Sequence, residues 1–83
     1  MKKRLVQRMA DANLRAIRES LGVSQEGLTR RTRSLTTRTV ANAERGKRVT
    51  YDSATQILEA INELLVEAGE PPVTLEQLGL NLY

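Results

Sequence analysis

Thr37, Arg38 and Asn42 lie within one short segment whose side chains suit the edge of a base pair. Arg38 can give two parallel hydrogen bonds to guanine O6 and N7, Asn42 can pair with adenine N6 and N7, and the Thr37 methyl can pack on a thymine methyl. A helix opening at Thr36 would turn Val40 and Ala43, three residues apart, inward and leave Thr37, Arg38 and Asn42, with Ala41 beside them, on the outer side. Lys47 and Arg48, just beyond that helix, suit phosphate contacts that position a protein without specifying sequence. The chemistry these residues offer is noncovalent recognition of double-stranded DNA, whose major groove admits an α-helix.

Such a segment needs neighbours to hold it. Leu14, Ile17, Arg18 and Leu21 recur at helical spacing and stop at Gly22, predicting a first helix. Leu5, Met9 and Ala12 keep a similar spacing upstream, which leaves open a start near Lys3 or after Asp11 as N-cap. Ser24 is an N-cap with Glu26 in the first turn and Leu28 facing inward, predicting a second helix to about Thr32. Arg33, Ser34 and Leu35 read as a short turn. Thr36 then caps the third helix to about Arg45, with Gly46 as its stop.

Thr50 caps a longer fourth helix from Tyr51 or Asp52 to Ala68. Its stripe of Ala54, Ile57, Leu58, Ile61, Leu64, Leu65 and Ala68 follows helical periodicity. Glu59, Glu63 and Glu67 stand four apart on the opposite face, where like charges destabilise an isolated helix, so tertiary packing must offset them. Gly69 and the pair Pro71 and Pro72 end this helix. Thr74 with Gln77 matches a capping box, predicting one helical turn to Leu78 before Gly79. The tail Leu80, Asn81, Leu82 and Tyr83 alternates apolar and polar residues, a short strand pattern. Leu78, Leu80, Leu82 and Tyr83 are candidates for a dimer contact, and a tail folded over its own core is the other reading.

The expected fold class is therefore all-α, a small bundle of four to five helices with a short extended tail. A chain of 83 residues makes one domain with one modest core. Residues 1–12 form a basic arm or helix extension in this reading, 13–68 the core and 69–83 the short helix and tail. Hydrophobic residues at 40% and charged residues at 28% fit a folded chain and not a disordered one. Cysteine and histidine are absent, which removes disulfides, structural zinc, cysteine nucleophiles and histidine acid-base catalysis. No cofactor, metal or enzymatic activity is expected. Gln7, Arg8 and Asp11 interrupt what would be the apolar stretch of a secretion signal, and no run is long enough to cross a membrane. A cytoplasmic, nucleoid-associated protein is the expectation.

Charge is divided along the chain. All thirteen Lys and Arg residues fall before Tyr51 with four acids among them, a balance of +9, whereas the remainder carries six acids and no base. A basic half on a small protein concentrates polyanions, and binding through phosphates is salt-sensitive. Tyr51 and Tyr83 are the only aromatic residues. Single-strand binding by base stacking is therefore disfavoured and duplex is the expected partner.

The segments Leu14 to Leu28, containing Gly22, Val23, Ser24, Gln25 and Glu26, and Thr36 to Arg48, containing Glu44, Arg45, Gly46 and Lys47, resemble the phage repressor/Cro-like, or XRE, helix-turn-helix family. The resemblance covers about residues 13–68. It implies a lambda-repressor-like fold and a sequence-specific transcriptional regulator, a repressor of bacterial or phage type acting as a homodimer. It assigns base edges to Thr37, Arg38 and Asn42, a phosphate to Gln25 and the third-helix cap to Thr36; the expected DNA backbone contacts are Ser24, Gln25, Thr36, Thr39, Lys47 and Arg48, with Arg33 in the longer turn as a further one. Arg18 and Glu44 match a structural salt bridge between the first and third helices. Leu28 to Val40 is one residue longer than the family's usual spacing, and Thr29 stands where a small Ala is common. Two alternatives use the same helices: a protein interaction adaptor docking a basic partner on the acidic face of the fourth helix, and an antitoxin or recombination accessory protein.

Overall fold

The computed structural model describes residues 13–83. The expectations for residues 1–12, a basic arm or helix extension, lie outside the described residues. Five helices follow in order, α1 (Leu14–Ser20), α2 (Gln25–Thr29), α3 (Thr37–Glu44), α4 (Tyr51–Glu67) and α5 (Leu75–Leu78), with two-residue strands β1 (Arg48–Val49) and β2 (Asn81–Leu82). Helices as short as α1 to α3 are marginal in isolation, so their ends and their packing decide whether they form.

Their starts are set by capping oxygens. Asn13 Oδ1 accepts from the Ala16 N–H at 3.1 Å, Ser24 Oγ from Gly27 at 2.9 Å, Thr36 Oγ1 from Thr39 at 3.2 Å and Thr50 Oγ1 from Ser53 at 3.1 Å. Each such cap satisfies one amide that the helix itself leaves unpaired. The backbone of Asn13 is extended, so α1 opens at Leu14. Neither expected start, near Lys3 or behind an Asp11 cap, holds for this helix. Gly22 and Gly46 take the left-handed conformation, with φ of 73° and 86°, that lets the chain leave α1 and α3 sharply.

Helix α2 stops at Thr29, short of the expected Thr32. Thr32 donates both its N–H and its Oγ1–H to the Thr29 carbonyl, at 2.9 and 2.6 Å, closing a tight turn in place of another helical one. The connection from Arg30 to Thr36 then carries the chain to α3.

The core lies where α4 meets the other four helices. Ala54, Ile57, Ala60, Ile61 and Leu65 along α4 are wholly buried, as are Leu28 of α2, Val40 of α3 and Leu78 of α5. Leu14 and Ile17 of α1, Ala43 of α3, Val49 of β1 and Val73 complete the cluster, with Leu21, Leu35, Leu58 and Leu64 half-buried around it. Ala68, counted from periodicity as part of the stripe, is instead the exposed C-cap of α4.

After α4 the chain doubles back. Asn62 holds the returning segment by accepting from the Val73 N–H at 2.8 Å and donating to the Val73 carbonyl at 3.1 Å. Gln77 Oε1 accepts from the Thr74 N–H at 2.8 Å, setting the start of α5. Strand β2 then lies parallel to β1, Arg48 opposite Asn81 and Val49 opposite Leu82, and the Tyr83 N–H donates to the Val49 carbonyl at 3.2 Å. The expected extended tail is thus one half of a small parallel sheet, made feasible because α4 and α5 supply the long crossover that parallel strands require. The tail folds onto its own protomer. Leu78 is a core residue and not a dimer contact, Leu80 and Leu82 are half-buried, and Tyr83 is exposed. No helix among the described residues is long and apolar enough to cross a membrane.

Asn62→Ala would strip Val73 of both partners in a half-buried setting. It is expected to cost about 1–3 kcal/mol, read as a lower urea midpoint with an unchanged slope; an unchanged midpoint would show the carboxyl-terminal return to be held by packing alone.

Candidate nucleic-acid interface

Arg18 of α1, Gln25 of α2 and Glu44 of α3 converge on one buried carboxylate. The Glu44 side chain is 2% exposed. Arg18 Nη2 donates to Glu44 Oε1 at 3.0 Å and its Nε donates to Oε2, a bidentate geometry that matches the planar fork of the guanidinium to the carboxylate. Arg18 Nη1 also donates to the Val23 carbonyl at 2.8 Å, and Gln25 Nε2 donates to Glu44 Oε1 at 2.9 Å. Burial opposes the Glu44 charge, but the hydrogen bonds from Arg18 and Gln25 and the Arg18 charge outweigh it and hold the carboxyl below its ordinary pKa. The bond to Glu44 raises Arg18 in turn.

This network fixes the last residue of α3 and so the direction of its outer face. Val40 and Ala43 point into the core, Thr37 and Arg38 are exposed, and Thr39, Ala41 and Asn42 are half-buried. Asn42 Oδ1 accepts from Arg45 Nη2 at 3.1 Å, so pairing with an adenine would exchange that bond for one from the base. The chain turns at Gly46, the Lys47 N–H donates to the Asn42 carbonyl at 3.0 Å, and Lys47 and Arg48 emerge exposed beyond the end of α3.

The expected backbone contacts fare differently. Ser24 and Thr36 are exposed caps, and Thr39 Oγ1 lies 3.2 Å from Thr36 Oγ1. Gln25, expected on a phosphate, is half-buried and turns its amide nitrogen inward, where one N–H helps satisfy the buried Glu44 carboxylate. Arg33, expected on the DNA backbone, is exposed and engaged by acids of its own chain. Its guanidinium meets Glu59 at 2.8 Å and Asp52 at 3.5 Å on α4.

Arg31 makes the companion contact, to Glu67 Oε1 at 3.0 Å and to Glu63 at 3.6 Å. Together Arg31 and Arg33 cover Glu59, Glu63 and Glu67, so the acidic stripe expected to await a basic partner meets its counter-charges within the chain. Arg15 pairs with Glu19 and Arg30 with Glu26. Arg38, Arg45, Lys47 and Arg48 have no acidic partner among the described residues. Those cations all belong to the stretch from α3 to β1.

Sequence reasoning missed Gln56. It is 3% exposed within the apolar stripe, where its Oε1 accepts from the Ser34 N–H at 3.0 Å and its Nε2 donates to Ser34 Oγ at 3.1 Å and to Asp52 Oδ2 at 3.0 Å. The available signal was a glutamine four residues from both Asp52 and Ala60 on a helix whose neighbours Ala54 and Ile57 are core. Among the described residues no group of three or more metal-ligating side chains gathers. Comparison of the chain with protein-family models, with curated proteins and with solved structures gives no match.

Because Glu44 is held below its ordinary pKa by folding, its contribution to stability is complete above the unfolded carboxyl pKa and is lost as pH falls through the folded one. Glu67, held down by its bond from Arg31, acts in the same window from the surface. Glu44→Gln should cost about 3 kcal/mol, the low end for breaking a buried pair since Arg18 keeps the Val23 carbonyl. The variant should also lose stability less steeply than the parent below the carboxylate range, measured by urea unfolding at several pH values. An acid limb identical in parent and variant would contradict this assignment.

Proposed function

We propose that the protein is a sequence-specific double-stranded DNA-binding regulator of the phage repressor/Cro-like type, with α2 and α3 as its helix-turn-helix and α3 as the helix that enters the major groove. One observation carries this reading: the cations left without acidic partners among the described residues, Arg38, Arg45, Lys47 and Arg48, cluster with the exposed Thr37 and the half-buried Asn42 on a single segment. Cations elsewhere on the described surface are neutralised locally. A phosphate backbone therefore meets the strongest attraction where the base-reading side chains are.

Roles within the segment follow from chemistry. Arg38 reads guanine and Asn42 adenine through two hydrogen bonds each, and Thr37 offers its methyl to thymine. Lys47 and Arg48 hold phosphates, with Thr36 and Thr39 at the α3 N-terminus and Ser24 at the α2 N-terminus as neutral backbone contacts. An eight-residue helix reads few base pairs, so the proposal includes a homodimer binding two half-sites. The exposed Tyr83 with the half-buried Leu80 and Leu82 is its proposed contact.

Arg38→Ala or Asn42→Ala should each relax preference at one base position and cost about 1–3 kcal/mol of discrimination. A base-by-base competition assay checks this, and unchanged selectivity would contradict the assignment. Lys47→Ala or Arg48→Ala should weaken all duplexes alike and reduce the slope of log affinity against log salt by about one unit; a change of sequence preference in either variant would remove it from the phosphate-binding set.

A further inference from the structure

We infer that Gln56 is a positioning residue for base recognition: from inside α4 it fixes the entry of α3 and with it the direction in which Thr37, Arg38 and Asn42 leave the surface. This rests on the reading of α3 as the groove-entering helix. The connection from Arg30 to Thr36 contains neither glycine nor proline, so no residue in it restricts or specially permits its backbone. Thr32 ties its start to Thr29 and accepts from the Leu35 N–H at 3.3 Å, exposed ion pairs from Arg31 and Arg33 reach α4, and the one buried side chain that holds its middle is the amide of Gln56, through a pair of bonds to Ser34.

The amide of Gln56 is fully used. Its oxygen takes the Ser34 N–H, one of its N–H groups goes to Ser34 Oγ, and the other goes to Asp52 Oδ2. A backbone donor on one side and a carboxylate acceptor on the other admit only one orientation of the amide. Asp52 also meets Arg33 at 3.5 Å, so consecutive turn residues are tied to the first turns of α4. Leu35 then packs at the core edge and Thr36 caps α3.

Helix α3 is thus held at two ends, by Glu44 within the α1 and α2 network and by Gln56 through Ser34. With only the first, the core packing of Val40 and Ala43, which is non-directional, would leave it free to tilt about Glu44. Arg38 lies about 9 Å along the helix from Glu44, so a tilt of about 10° would carry it about 1.5 Å, three times the roughly 0.5 Å spread that good hydrogen bonds tolerate. Phosphate attraction falls off far more gently with distance. Loss of Gln56 should therefore remove discrimination while leaving electrostatic binding in place.

The test compares the parent and Gln56→Met, a side chain of similar length without the amide. Affinity is measured for the duplex that the parent selects from a random pool and for a random duplex of equal length, each across a salt series. Amide exchange is followed in the free protein by NMR. Gln56→Met should lower the ratio of selected to random affinity about tenfold, the effect of roughly one hydrogen bond, with the salt slope unchanged. In the free variant the Ser34 amide should exchange at least about tenfold faster relative to that of Ile61, which reports global opening.

In the parent itself, the Ser34 amide should be protected well above an unstructured one; its exchange at the unstructured rate would overturn the inference whether or not the variant folds. A selective parent with an equally selective Gln56→Met would overturn the positioning role alone. A parent that selects no duplex would overturn the DNA reading as well, so the two failures are distinguishable.

Discussion

The Glu44 carboxylate is the constraint on which the rest of the structure depends. A negative charge taken out of water must be matched by donors at fixed positions, and here the donors come from two other helices. Arg18 brings α1, Gln25 brings the start of α2, and the carboxylate itself ends α3. Apolar packing against α4 is non-directional and would tolerate several orientations of such short helices. The buried ion pair fixes the carboxyl-terminal end of α3 in one of them. It contributes less through net stability than through the single arrangement it selects, and that arrangement sets which side of α3 faces outward.

Electrostatics then distributes over the surface in a way that net charge conceals. The acids of α4 meet two cations of the connection that follows α2, Arg31 and Arg33, and so tie the first part of the chain to the last. Exposed pairs of this kind add little to stability, but they decide where uncompensated charge remains. Among the described residues it remains from α3 to β1. The described residues thus present a concentrated basic edge adjoining the side chains best suited to base edges.

Much of this was legible in the chain. The caps at Ser24, Thr36, Thr50 and Thr74 marked four of the five described helix starts, because a side-chain oxygen at a helix entrance has a local and specific purpose. The apolar stripe of α4 marked the core, and the resemblance to the repressor/Cro-like helix-turn-helix pointed to the Arg18 and Glu44 pair that is bonded in the fold. What escaped depends on contacts between residues distant in sequence. Gln25 and Arg33 look like surface donors until their acceptors, Glu44 and the acids of α4, are brought beside them. Gln56 and Asn62 look like interruptions of an amphipathic helix, yet each satisfies the backbone of a segment that arrives from elsewhere. The parallel pairing of β2 with β1 joins residues more than thirty positions apart, and no alternation pattern in a four-residue tail specifies its partner. Helix α2 ended early through threonine hydroxyls competing for carbonyls, an effect that periodicity does not register.

The central claim, that the outer face of α3 reads double-stranded DNA, is tested most directly by selecting bound duplexes from a random pool with the full chain. The account predicts recovery of an inverted repeat whose half-site centres lie about one helical turn, roughly 34 Å, apart. A recovered pool without any shared sequence would contradict it.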